Sequence, residues 1–64
     1  MLGEKIRQYL KDNGITQTFL ARKANLKVSI VNDICIHGRK VGAIEYYQIC
    51  KALGLPFEFF FEEE

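Results

Sequence analysis

The stretch TQTFLARKANLKVSIVNDI, residues 16–34, limits the possible folds of this 64-residue chain more than any other. Leu20, Ala21 and Ala24 recur at helical spacing on one face, and Val31 and Ile34 mark the apolar face of a second segment. Asn25 stands between them, followed by Leu26. The pattern predicts two short helices joined by a tight turn. Helices that cross this closely need a small residue at the crossing, and Ala21 supplies one. A turn this sharp needs a left-handed residue, and asparagine is among the few non-glycine types that tolerate it.

The flanking segments are helical too. Leu2, Ile6, Tyr9 and Leu10 fall on one face of a helix over residues 2–12, and Asn13-Gly14 ends it. Thr16 is the expected N-cap of the second helix, with no Glu or Gln three residues on to complete a capping box. Phe19 stands there instead, and we expect it in the core against helix one. The third helix is expected from Lys27 or Val28 to about Ile36, with Lys27 a poor cap and Lys27, Val28, Ser29 and Asn32 on its outer face. Residues 37–42, HGRKVG, form a loop. A fourth helix over 43–53 buries Tyr46, Ile49, Cys50 and Leu53, and Gly54 closes it. Leu55-Pro56 begins a last short helix or turn. The expected architecture is all-α, one domain over residues 1–64.

A chain of this size buries only about 60% of the surface it exposes when unfolded, so packing must be efficient or supplemented by self-association. Cys35 and Cys50 both fall at core spacing and are expected as free, buried thiols. His37 has no ligand spacing around it, and no cofactor or metal is expected. Met1-Leu2 runs straight into Gly3-Glu4-Lys5 and no apolar run approaches 18 residues, which points to a cytoplasmic protein outside the membrane. The net charge of +1 conceals a division. Residues 1–40 carry eight basic and three acidic side chains, whereas residues 41–64 carry one basic and five acidic. Charge alone fits an ordinary mixed surface, and it fits equally a basic part that meets a polyanion while the acidic end faces away.

The run GITQTFLARKANLKVSIVNDI resembles the DNA-binding unit of the lambda-repressor/Cro (Xre-like) helix-turn-helix regulators, and QICKALGLPFEFF resembles the fourth and fifth helices of the same five-helix domain. The likeness covers about residues 2–61. The chain departs from the family pattern at four points. Asn25 replaces a common glycine, Lys27 replaces the capping Ser or Thr, the usual Glu near Cys35 is missing, and Gly38 lies one position later than the usual loop glycine.

The resemblance implies a compact lambda-repressor-like fold, with helices two and three as the helix-turn-helix and residues 27–36 in the major groove. It implies double-stranded DNA as partner and a phage- or bacterial-type repressor as function. Thr16 and Gln17 lie at a helix N-terminus, where free amides meet phosphate. Lys27, Val28, Ser29 and Asn32 match groove-facing positions: Asn32 suits adenine, Val28 a thymine methyl, and Ser29 a base or phosphate. Arg39 and Lys40 match a phosphate-contacting loop, which positions the protein without reading sequence.

A homodimer on a near-palindromic operator is the expected assembly, its seam at the phenylalanine-rich end. We expect Phe57 and Phe60 in the core and Phe59 or Phe61 outward, so that whichever of Phe57, Phe59 and Phe61 is left uncovered meets the partner. The aliphatic Val28, Ile30 and Ile36, together with Asp33, leave open a second use of the fold, as a protein-interaction module of antirepressor or antitoxin type. No nucleophile–base pair or phosphate-binding glycine loop suggests an enzyme.

Overall fold

The computed structural model describes residues 2–61. It contains four helices, α1 (Leu2–Asp12), α2 (Gln17–Ala24), α3 (Val28–Ile36) and α4 (Ala43–Leu53), followed by a 3-10 turn at Phe59–Phe61. The expected fifth helix is therefore only this turn. After Gly54, Pro56 and the turn at Phe57–Glu58 take up the chain, and only the 3-10 turn follows among the described residues.

The helices enclose one core. Ile6 and Leu10 of α1 meet Leu20, Ala21 and Ala24 of α2, Val31, Ile34 and Cys35 of α3, and Tyr46, Ile49 and Cys50 of α4, with Phe60 closing the base. These are the apolar stripes expected from helical spacing, except that Leu2, Tyr9 and Leu53 are only partly buried. α2 packs on both α3 and α4, while α1 packs on α3 and on the terminal turn. Lys5 Nζ donates to the Phe60 carbonyl at 3.2 Å, tying that turn to α1.

Three helix ends share one closure. The amides of Ile15, Leu26 and Leu55 donate to the carbonyls of Leu10, Ala21 and Cys50, five residues back in each case. The residue before each amide is left-handed: Gly14, Asn25 (φ 60°) and Gly54. This is the Schellman arrangement, and the apolar residue following each turn lies against the core, as the motif favours. α3 ends differently. Gly38 is its left-handed residue, and the Arg39 amide donates to Asp33, six residues back. The glycine displaced by one position lengthens the closure by one residue. It also places polar Arg39, rather than an apolar residue, after the turn, and Val41 is the next side chain to reach the core.

One glycine is set by packing rather than by conformation. A Cβ on Gly3 would stand 2.1 Å from the carbonyl oxygen of Ile34. α1 and α3 can approach this closely only because residue 3 has no side chain.

Phe19 does not enter the core and is half exposed. Leu20, its neighbour, takes the inward position, and one residue along a helix turns about 100° away. The Lys23 ammonium lies 5.9 Å from the centre of the Phe19 ring. Phe57 likewise remains half exposed, packing one face edge-on against Tyr46 at 4.7 Å between ring centres.

Candidate nucleic-acid interface

The α2–α3 unit is built from local signals. Thr16 has extended backbone angles, and its hydroxyl accepts from the Phe19 amide at 3.0 Å, satisfying a donor the helix leaves unpaired. Asn25 then reverses the chain. Lys27 is the N-cap of α3 and offers no side-chain cap, so the first-turn amides of that helix have no such partner from it. Those amides and an exposed lysine stand together at the start of the helix that the sequence assigns to the groove.

Gln17 and Asn32 are brought together although fifteen residues separate them. The Asn32 Nδ2 donates to Gln17 Oε1 at 3.0 Å, and both side chains are partly buried. The bond fixes the turn of α3 relative to the N-terminus of α2. Asn32 keeps its carbonyl oxygen and a second N–H for another partner. Val28 lies one turn before Asn32 and Ile36 one turn after it, so the three form one stripe. Lys27, Val28, Ser29 and Ile36 are exposed. Asp33 is partly buried.

Arg39 and Lys40 are both exposed on the α3–α4 loop, but they are not equivalent. Arg39 Nη1 donates to both carboxylate oxygens of Glu45, at 3.1 and 3.0 Å. Glu45 is the third residue of α4 and accepts also from the Gly42 amide at 3.1 Å, half of a capping box. The Gly42 bond, then Arg39, hold the Glu45 carboxyl below its ordinary value. It is ionised at neutral pH. Glu45 is not among the site residues expected from sequence, although the spacing Gly42-Ala43-Ile44-Glu45 at a helix start is the available signal.

Burial pushes the Cys35 thiol up, with Arg7 opposing, so it stays protonated and a poor nucleophile. Burial first, then the contact with Cys50, pushes the Tyr46 phenol up to about 12, and its hydroxyl donates to the Phe57 carbonyl. Both cysteines are free and buried. Among the described residues no cluster of three or more His, Cys, Asp or Glu could hold a metal, and no helix is long and apolar enough to cross a membrane.

Comparison with protein families returns one description, helix-turn-helix, of the Xre/lambda-repressor-like type, matching residues 6–60. The chain belongs to this helix-turn-helix family. The match spans all of α2 and α3, and it extends through α4 to Phe60. No curated protein matches significantly. The family is one of DNA-binding transcription regulators, which accords with the cap, the left-handed turn and the Gln17–Asn32 brace just described.

The terminal phenylalanines divide. Phe59 turns to Tyr9 of α1, with 5.5 Å between ring centres. Phe57 and Phe61 flank Tyr46, and their own rings lie 6.3 Å apart. Phe57 also shares a cleft with Tyr47, Lys51 and Leu55. Ile44, one turn before Tyr47 on α4, is three-quarters exposed. Ile44 and Tyr47 were not expected in this surface, because their helical offsets mark only an outward face and say nothing of what lies beside it.

Proposed function

We propose that this protein is a sequence-specific double-stranded DNA-binding transcriptional repressor whose recognition helix, residues 27–36, enters the major groove. The observation that carries the reading is the Gln17–Asn32 bond. It braces α3 against α2 while leaving Lys27, Val28 and Ser29 exposed at the helix start, where helix-turn-helix proteins contact base edges. Thr16 and Gln17 meet phosphate, Asn32 reads adenine with its remaining polar atoms, Val28 contacts a thymine methyl, and Lys40 and Arg39 lie along the backbone.

The protein acts as a homodimer on a near-palindrome. The seam is the apolar surface of Ile44, Tyr47, Phe57 and Phe61, all at least half exposed. Phe59, engaged with Tyr9, lies at its margin.

Selection from a randomised duplex pool, followed by fluorescence anisotropy against salt, tests this reading. The expected result is an enriched near-palindrome with half-site centres about 34 Å apart and a steep loss of affinity with salt. Exposed Val28 and Ile36, and the neutralised Arg39, favour a second reading, in which the same face binds another protein. A pool that yields no enrichment and no salt-sensitive binding supports that alternative and ends the first.

A further inference from the structure

We propose that Glu45 sets the affinity of this domain for nucleic acid by neutralising Arg39, so that Lys40 is the loop's effective cation. The inference rests on the DNA-binding reading above and deepens it. Sequence alone makes Arg39 and Lys40 a basic pair, two charges for two phosphates. The fold separates them.

Arg39 Nη1 bridges both oxygens of Glu45 at about hydrogen-bond length, and the Glu45 side chain is the more enclosed of the two. The Gly42 N–H also donates to Glu45, a second partner that holds the carboxylate at the helix start. The carboxylate belongs to the α4 helix start, so it is present whether or not DNA is bound. A phosphate approaching Arg39 therefore meets a pair with no net charge. It must compete with a carboxylate already in place, or bind beside it against that carboxylate's repulsion. No ion pair holds Lys40 among the described residues.

Counterion release makes the idea measurable, since each phosphate neutralised contributes about 0.9 to the slope of log affinity against log salt. Glu45 acts through Arg39, so it is a positioning residue, and the salt slope is a readout that a merely structural role would not move. Glu45→Gln keeps an oxygen for the Gly42 amide and removes only the charge. The experiment compares the full chain, Glu45→Gln, Arg39→Ala, Lys40→Ala and the double variant Glu45→Gln/Arg39→Ala on one duplex over a salt series. Thermal unfolding reports the fold of each.

Three results are expected. Glu45→Gln binds roughly five- to ten-fold tighter at 0.1 M salt, with a slope steeper by about 0.9. Arg39→Ala changes the slope little in the parent chain and by about 0.9 in the Glu45→Gln background. Lys40→Ala lowers the parent slope by about 0.9. If the parent binds and Arg39→Ala costs it as much slope as Lys40→Ala, with Glu45→Gln unchanged, the role of Glu45 is overturned and the DNA-binding reading survives. If no variant binds duplex with any salt dependence, the DNA-binding reading fails and this inference fails with it.

Discussion

Asn32 of α3 donates its side-chain amide to the carbonyl oxygen of Gln17 in α2 across 3.0 Å. Asn32 is therefore part of the frame of the interface as well as a candidate reader. A side chain with one N–H already engaged presents its remaining donor and acceptor in a restricted orientation, and such preorganisation favours one base over another. Removing either partner should loosen α3 on α2.

A double-mutant cycle tests that coupling. Asn32→Ala should lower discrimination at one base position by roughly 1–3 kcal/mol. Gln17→Ala should lower discrimination at the same position, although it need not touch that base. The double variant should lose less than the two single losses combined, because contacting residues couple. Additive losses on specific and random duplex alike would remove the bond from the reading mechanism.

Gly3→Ala gives opposite expectations from local and tertiary structure. Helix propensity favours alanine by about 1 kcal/mol. The added Cβ meets the Ile34 carbonyl at 2.1 Å, a backbone atom that cannot rotate away. The clash should win, with a net loss of roughly 1–3 kcal/mol, or about 7–22 °C in Tm for a domain this small. An unchanged or raised Tm would show that α1 shifts without cost.

Lys27→Ser should separate stability from binding. Lys27 caps α3 without a side-chain hydrogen bond, and serine supplies one. A gain of about 0.5–1 kcal/mol in unfolding free energy is expected. The same change removes a cation from the start of the recognition helix, so affinity should fall and the salt slope flatten by about 0.9. Denaturant unfolding and anisotropy on one preparation measure both, and a variant that gains stability without losing affinity would place Lys27 outside the interface.

The phenylalanines should part in the same way. Phe60 is buried against Tyr9 and Tyr46, so Phe60→Ala should cost about 3–5 kcal/mol and leave the domain barely folded. Phe57→Ser should cost far less, because half of that ring faces solvent, yet it should weaken self-association. Sedimentation velocity alongside thermal unfolding distinguishes the two. A Phe57→Ser protein that still dimerises would move the seam elsewhere.

Much of this molecule is legible in its residues alone. The four helices follow from apolar stripes of period 3.6, and the α2–α3 turn from Ala21 and Asn25. Thr16 announces a cap and Lys27 the lack of one. These are local properties, since a helix face, a cap or a left-handed residue depends on neighbours within a turn or two. Periodicity does not decide that Leu20 rather than its neighbour Phe19 turns inward, and the helical spacing expected around Phe57 gives way to a turn, so both rings, expected inside, are half exposed.

Relations across the chain were decided by the tertiary structure. Gln17 meets Asn32 because α2 crosses α3, and Gly3 is required because α1 reaches the Ile34 backbone. Arg39 is paired because the displaced Gly38 closes α3 one residue late and Glu45 stands at the start of α4. A sequence displays charges and spacings, but a pair of groups interacts only at a distance of a few ångströms, and folding alone sets that distance.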